Sequence, residues 1–405
     1  MASRVLVVGS GCIGLRTALE LTRKRVSVVL RSPVHPLDKS NCSQGAGGLW
    51  MPIYCEDPRV DQWGFETLDE IYPLAEDAEN SLVDLRHVLA LKKRHEGPST
   101  EDMVADNYHK GTGGRSLLPS WSSDARFKFQ NVTLEQVQWQ NQIHKLRLPS
   151  LAKAQEAGYN HAWFFQTPVV DCPKMMEHFL DELTGSNISK SAGKADINVE
   201  TGIYYQSKAE LFEEAKNFGC DAIVNCTGMG ASELCKDVEL VGARGILMNY
   251  DRESCKRLEH KDDDGTISAG VNDQLHDACI FADEAPWGTP EYPSYMIVRG
   301  DDIVVGGTCV KGDTETKIRP QERTRLFETA RLLGIDTNAC QPKEEWVGFR
   351  PYRQEIRCEI DDEKSMSNDT ENDDRIRLVH CYGTGGSGWT IYTGLAKEAA
   401  RLAMQ

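Results

Sequence analysis

Val5-Leu6-Val7-Val8 is an uninterrupted apolar run, too short to cross a membrane and of the length of a fully buried strand. Gly9-Ser10-Gly11-Cys12-Ile13-Gly14 follows at once, then a helical pattern with Leu15, Ala18, Leu19 and Leu21 on one face. A second apolar run, Val26 to Leu30, closes a strand-helix-strand unit. In that setting G-x-G-x-x-G has a mechanical meaning. Gly9 permits a tight turn, Gly11 lets backbone approach a pyrophosphate, and Gly14 lets helix and strand pack closely. The phosphates then sit at a helix N-terminus, where unpaired N–H groups and the dipole favour negative charge. Alone the hexapeptide is a weak signal; between two buried-type strands it points to a dinucleotide site.

The residue expected on the ribose hydroxyls is unorthodox. The second strand ends in Leu30-Arg31-Ser32, with no acid where an NAD site places one. Arg31 can read a 2′-phosphate, lie along the adenosine end of FAD, or stand as a solvated strand-end cation.

A chain of 405 residues has room for two domains. Its apolar fraction of 40 %, without a long uncharged hydrophobic run, fits a soluble globular protein. A formal charge of −16 argues against nucleic acid or an anionic membrane as partner. The first strand begins by residue 5, which leaves no room for a signal or transit peptide. The C-terminal Ala403-Met404-Gln405 is neither an S-K-L-type nor an ER-retention tail. The expected compartment is the cytoplasm, or the peroxisome by another signal. Among 13 cysteines there is no C-x-x-C, and Cys12, Cys226 and Cys381 lie in apolar runs, as buried reduced thiols do. No zinc-type Cys/His spacing occurs, and no metal is expected.

After a polar stretch, Ser32 to Ser43, come Gly45-Ala46-Gly47-Gly48-Leu49-Trp50-Met51-Pro52. Small residues in a row before a Trp suggest backbone pressed against something flat, or a glycine-rich turn without a ligand. Residues 66–94 read as one or two amphipathic helices and 95–130 as a polar loop region. Glu135 to Ala157 reads as helix, His161 to Pro168 as strand, and Pro173 to Leu183 as helix. Ile197 to Tyr205 is an expected strand, followed by an acidic helix from Ser207 to Phe218. Asp221 to Asn225 is a buried strand running into Cys226-Thr227-Gly228, the carboxyl-end lip where ligands collect on parallel sheets. From Val241 the texture turns to β, with strands at Gly245–Tyr250, Tyr295–Val298 and Asp302–Gly306 of a mostly antiparallel unit. Glu259 to His276 and Asp361 to Asp374 read as solvated loops. Leu378 to Tyr382 returns to strand, Gly383-Thr384-Gly385-Gly386-Ser387-Gly388 makes a second glycine loop, and Trp389 to Met404 a closing helix.

Two glycine loops, each between a strand and a helix, stand at opposite ends of the chain. They suit a long cofactor gripped at both ends, a cofactor and a substrate, or, for the second loop, a plain helix cap. Gly348-Phe349-Arg350-Pro351-Tyr352-Arg353 places two cations beside aromatics. Arg350, its backbone fixed by Pro351, suits bidentate capture of a carboxylate or a surface ion pair; Arg353 reads as a surface ion pair. Tyr295 is an amphipathic ring in an apolar run, and its hydroxyl needs a partner.

Together these segments resemble the D-amino-acid oxidase and D-aspartate oxidase family, FAD-dependent enzymes, over nearly the whole chain. The likeness rests on Gly9–Gly14, Ala46-Gly47-Gly48-Leu49-Trp50, Val224-Asn225-Cys226-Thr227-Gly228, Arg244-Gly245, Gly348-Phe349-Arg350-Pro351 and Tyr382–Gly388. Their order and spacing, more than any one of them, are specific. The resemblance implies an α/β fold: an FAD-binding Rossmann-like parallel sheet domain with an α+β substrate domain built on a mostly antiparallel sheet. The first comprises residues 1–54, 160–240 and 355–405, the second 55–159 and 241–354. It implies that Gly9, Ser10, Gly11, Cys12, Ile13, Gly14, Arg31, Ser43, Gly47, Gly48, Leu49 and Thr227 bind FAD. Gly385, Gly386, Ser387, Gly388, Trp389 and Thr390 would cradle the flavin. Arg350 would bind the substrate carboxylate with help from Tyr295, the Gly386 backbone would face the amine, and Met51 would line the substrate site.

The implied reaction is oxidative deamination of a D-amino acid, by hydride transfer from Cα to flavin N5, with oxygen as acceptor and peroxide as product. Orientation supplies most of the catalysis, and no Ser-His-Asp or paired-carboxylate set is needed. Within the family, the aspartate branch carries an arginine just after Gly-Gly-Thr; here Gly306-Gly307-Thr308 is followed by Cys309. A second carboxylate without that partner loses ~1–3 kcal/mol. With Met51 where a polar residue is common, this favours a neutral or apolar D-amino acid. Lys311 or Arg299 is the candidate compensator that keeps acidic substrates as the alternative, beside a glycine/sarcosine-type oxidase and a non-catalytic NADP- or FAD-binding protein. A homodimer is among the assemblies the sequence allows.

Overall fold

A computed structural model describes residues 3–52, 55–93, 118–144, 146–147, 151–185, 197–256, 276–361 and 376–405. The chain opens with β1 (Arg4–Val8), α1 (Cys12–Arg23) and β2 (Ser27–Ser32). β1 and β2 run parallel, Val7 opposite Leu30, with α1 as the crossover. Then come α2 (Val60–Glu76), β3 (Val83–Lys92), β4 (Gln130–Thr133), α3 (Leu134–His144), β5 (Leu146–Arg147) and α4 (Leu151–Glu156). Next are β6 (His161–Val170), α5 (Cys172–Thr184), β7 (Ile197–Thr201), α6 (Lys208–Asn217), β8 (Ala222–Asn225) and α7 (Ala231–Leu234). The later half begins with β9 (Val241–Asp251), α8 (Arg252–Lys256), β10 (His276–Asp277) and β11 (Cys279–Ala282). It continues with β12 (Ser294–Arg299), β13 (Asp302–Gly306), β14 (Val310–Lys311) and α9 (Pro320–Leu332). β15 (Glu344–Ile360), β16 (Arg377–Thr384) and α10 (Gly388–Met404) close the chain.

Among the described residues one continuous sheet runs β4-β6-β3-β11-β12-β13-β9-β15-β16-β8-β1-β2-β7, with β14 added along β9. From β16 to β7 every pair is parallel. From β4 to β16 the pairs are antiparallel except β3 beside β11. β15 joins the two regimes. Its first half pairs with β9 from Glu344 to Tyr352, its second half with β16 from Arg357 to Ile360, and the register shifts in between. Backbone groups freed there need partners. Asp57, almost fully buried, accepts the Ile356 N–H at 2.9 Å, while Arg59 donates to the Ile356 carbonyl at 2.6 Å.

The main core lies between the parallel strands and α1, α2, α5 and α10. α5 shows how the sequence sets its bounds: Asp171 accepts from Lys174 N–H at the start, Pro173 occupies the first turn, and Gly185 at φ +82° ends it. Buried Arg16 on α1 donates to Glu20 at 2.7 Å and to Glu70 on α2 at 2.6 Å, and Lys397 of α10 pairs with Glu70 at 2.7 Å. A charged knot thus ties three helices that hydrophobic contact alone would let slide.

His380 on β16 is fully buried. Asn225 Nδ2 faces its Nδ1 at 3.4 Å, and its Nε2 meets Asp361 Oδ2 at 3.0 Å. The Asn225 amide is oriented because its Oδ1 accepts from Thr227 N–H and Oγ1–H. Nδ1 therefore accepts, Nε2–H donates, and the ring is neutral. Burial, with Arg357 and Lys208 nearby, pulls its pKa down to about 4 against the pull of Asp361. A depressed folded pKa gives stability that is present above the ordinary value near 6.5 and lost as pH falls toward 4. We expect stability to fall by about 1.4 kcal/mol per pH unit across that window. Melting curves from pH 7 to 4 check it: His380→Gln should flatten the slope.

Two expectations are corrected. Residues 66–94 are not all helical, because α2 ends at Glu76 and Val83–Lys92 is β3. The run Val88–Leu91 is buried on both faces between β6 and β11, which a strand permits and an amphipathic helix does not. The helix expected over 135–157 is interrupted by β5. β6 pairs with β3 and β4, and α2 packs on α10. Cys12, Cys226 and Cys381 are free and buried, as expected, while Cys255 of α8 and Cys340, far apart in sequence but in one cluster with α9, form a disulfide. The acidic loops 259–276 and 361–374 lie, end residues aside, outside the described residues. No described helix is long and apolar enough to cross a membrane, and the described residues hold no metal-binding cluster.

Candidate functional site

A cavity of about 960 Å³ opens where the parallel and antiparallel parts of the sheet meet. Gly9, Ser10, Gly11, Cys12 and Ile13 line it from the first glycine turn. Ser43, Gly47, Gly48, Leu49 and Met51 line it from the segment after β2, and Thr227 from the turn after β8. Gly385, Gly386, Gly388, Trp389 and Thr390 enter from the start of α10, Tyr295 from β12 and Arg350 from β15. The two ends of the chain are stitched together here. Trp389 Nε1 donates to the Ser43 carbonyl at 3.0 Å, and Thr390 Oγ1 to the Met51 carbonyl at 3.1 Å.

The first turn is a cradle with no space for side chains. Gly9 holds φ +108°, and a Cβ there would fall on the Cys226 carbonyl; one on Gly14 would fall on the Gly9 carbonyl. Gly14 therefore does not line the cavity but allows α1 to approach β1. No side chain of its own caps α1, and the Cys12 N–H is taken by Ser43 Oγ at 3.0 Å. The start of α10 also lacks a side-chain cap, and Gly386 is the exposed member of an otherwise buried turn. Ser387 is buried and does not line the cavity.

Arg31 is corrected as well. Side chains alternate along β2, so Val28, Leu30 and Ser32 face α1 while Val29 and Arg31 face α6. There Arg31 donates to Glu214 at 2.9 Å and Asn198 Oδ1 at 2.7 Å and stacks on Phe218. It does not line the cavity.

Arg350 and Tyr295 converge. Arg350 Nη1 donates to the Thr308 carbonyl at 2.8 Å, which aims the guanidinium. The buried Tyr295 hydroxyl faces it; burial raises the phenol pKa and Arg350 offsets part of that rise. Tyr295 stacks on Phe281 with centroids 6.1 Å apart. The guanidinium has room because position 245 is glycine: a Cβ there would come within 2.7 Å of Arg350 Cζ. Trp346 likewise occupies space that side chains at Gly45 and Gly348 would need. Leu247, Phe281, Ile297 and Trp346 complete this part of the cavity. Sequence reasoning gave them no role, although the alternation Tyr295, Ile297 marks one face of β12.

The two candidate compensating cations are elsewhere. Lys311 sits over the Tyr352 ring, 3.4 Å from its centroid, and Arg299 is buried against the Ala46 carbonyl and Asp302; neither lines the cavity. Arg353 pairs with Asp237 and Glu239. Among the described lining residues Arg350 is the one cation and Asp313 the one acid, held by Arg319, whose hydrogen bonds bring the Asp313 pKa down to about 2.

A glycine-capped helix start at one end of a long cavity and a second helix start without a side-chain cap at the other fit a dinucleotide whose far end is a flat ring. The chain belongs to the DAO family of FAD dependent oxidoreductases, whose model matches residues 4–402. Its cofactor is FAD, and the glycine cradle fits the pyrophosphate. Among similar proteins, a D-amino-acid oxidase of Rubrobacter xylanophilus is 25% identical over 407 residues, covering 100% of this chain and 96% of the relative. Human D-aspartate oxidase is 24% identical, covering 99% and 94%. In fold the chain is similar to glycine oxidase from Bacillus cereus, with TM-score 0.64 at 14% identity, covering 99% and 95%.

Proposed function

We propose that the protein is an FAD-dependent oxidase of D-amino acids with neutral side chains, releasing a 2-oxo acid, ammonia and hydrogen peroxide. The observation that carries this reading is the convergence of Arg350 and the buried Tyr295 hydroxyl beside Leu247, Phe281, Ile297 and Trp346 in the FAD cavity. A small zwitterion needs one cationic anchor for its carboxylate and one acceptor for its amine. Arg350 supplies the first as charge-assisted hydrogen bonds, with Tyr295 O–H as a neutral donor beside it. The Gly386 backbone supplies the second. With both ends held, the Cα–H bond has one direction to point, and orientation replaces acid–base chemistry. When bound, FAD accepts hydride from Cα and passes the electrons to oxygen. The imino acid then takes up water to give 2-oxo acid and ammonia.

The neutral side chain follows from charge. Cys309 and Met51 line the cavity, the compensating cations do not, and a second carboxylate would meet only Asp313 as an ionised neighbour on that wall. The similarity to human D-aspartate oxidase keeps acidic substrates as the second reading. A panel decides. The purified protein should show flavin absorbance bands and release peroxide with D-alanine, D-methionine or D-phenylalanine faster than with D-aspartate, glycine or sarcosine, and not with L-isomers. Turnover of L-isomers, or D-aspartate as the best substrate, overturns the reading.

Gly245→Ala tests the space behind the anchor. The added methyl displaces the guanidinium without touching the glycine cradle. We expect full flavin content and a KM for the best D-amino acid raised about 10–100-fold. Steady-state kinetics at matched flavin absorbance reads this out.

A further inference from the structure

The positions of Tyr295 and Arg350 depend on two short backbone segments, 291–295 and 306–309. Tyr295 is the second residue of β12 and pairs with Gly306, the last of β13. Its hydroxyl lies over Gly306 and Gly307, where added Cβ atoms would come within 2.3 and 2.9 Å of the phenolic oxygen. Thr308, next along, carries the carbonyl that aims Arg350. The two segments are laced together: Gly307 N–H donates to the Pro293 carbonyl and Cys309 N–H to the Glu291 carbonyl, both at 2.7 Å. One side chain of α9 crosses the lacing. Arg325 Nη1 donates to the Gly307 carbonyl at 2.8 Å, and Nη2 donates to the Tyr292 carbonyl and, at 3.1 Å, to the Pro293 carbonyl. Arg325 itself does not line the cavity.

We infer that Arg325 is a positioning residue for the substrate carboxylate, acting through Tyr295 and Thr308 on the anchor that they form with Arg350. This rests on the carboxylate site proposed above. A planar fork bonded to carbonyls of two segments fixes their separation, as a single-point donor does not. Pro293 stands two residues before Tyr295, and Gly307 one before Thr308. Slack at these carbonyls therefore misplaces the Tyr295 hydroxyl and the Arg350 guanidinium together, and a shift of about 1 Å in a positioned group costs up to about 100-fold. The acceptors are neutral, so the guanidinium keeps its charge beside the site. Glu322, an acid of the same helix, is paired with Arg244 and Arg319. Burial lowers the pKa of Arg325, and its charge joins that of Arg350 in offsetting the burial-raised pKa of the Tyr295 phenol.

The test compares flavin-loaded wild type with Arg325→Met and Arg325→Lys. Two quantities are read: the KM for the best D-amino acid, and the dissociation constant of butyrate, a carboxylate without an amine, from the change in flavin absorbance on binding. Arg325→Met should raise both about tenfold while kcat changes less than about threefold. Arg325→Lys, which keeps the charge and reaches one carbonyl, should recover part of both; should Arg325→Met lose its flavin, Arg325→Lys carries both comparisons. In an Arg350→Ala background, adding Arg325→Met should change kcat/KM by less than about threefold, because the main group it positions is gone. General loosening of the fold would carry its full factor into that background. The inference is overturned if KM and butyrate affinity in the Arg325 variants match wild type, or if the factor is the same with and without Arg350. If Arg350→Ala itself leaves substrate kinetics and butyrate binding unchanged, the carboxylate site falls and the positioning role with it.

Discussion

Arg350→Ala is expected to keep its flavin spectrum and to lose about two to three and a half orders of magnitude in kcat/KM toward D-amino acids. The guanidinium is aimed by Thr308 and backed by Gly245, and its neighbour Tyr295 is buried. Removing it leaves a desolvated carboxylate with one neutral donor, and truncating one partner of such a pair costs about 3–5 kcal/mol. At 1.4 kcal/mol per decade that is the stated loss. Most should enter through KM, with part in kcat because the anchor also orients Cα. Arg350→Lys should recover only a fraction, since an ammonium cannot reproduce a planar fork. Wild-type kinetics in Arg350→Ala would remove this residue from the site.

Gly9→Ala should be more damaging to the protein as a whole. At φ +108° an L side chain is strained, and the methyl would lie on the Cys226 carbonyl at the end of β8. The atoms it would meet, the Cys226 carbonyl and the Thr227 nitrogen, are backbone of the turn after β8 rather than a flexible side-chain tip. The expected cost is about 2–4 kcal/mol in stability, read as a lower melting temperature, together with loss of bound flavin during purification. A variant that retains full flavin and melting temperature would show that the turn has slack the geometry denies.

Much of this was legible in the sequence because the informative segments are local. A strand, a glycine turn and a helix are contiguous, so spacing alone specifies how Gly9, Gly11 and Gly14 are used. Arg350 was legible because Pro351 and the flanking aromatics mark it. What was not legible depends on direction and distance. Arg31 differs from Ser32 by one residue, yet strand alternation sends them to opposite faces of the sheet. β3 was mistaken for helix because its neighbours β6 and β11 bury both its faces, and both lie far away in the chain. The Cys255–Cys340 pair, separated by 85 positions, carries no local mark. The crowding behind Arg350 at Gly245 is visible only when β9 and β15 are paired, Gly348 opposite Gly245.

That pairing has a corollary at β15. Arg350 stands two residues before Tyr352, which is paired across the ladder with Thr384, itself two residues before Gly386. Both anchoring groups of the proposed site therefore stand two residues from a single rung, Arg350 on β15 and Gly386 in the short turn that follows β16. Such a mounting behaves as a fixed gauge: it measures the span from carboxylate to nitrogen in whatever enters. Homologues bearing the nitrogen one carbon farther along, as in β-alanine, overshoot the second anchor and should be refused whatever their side chain.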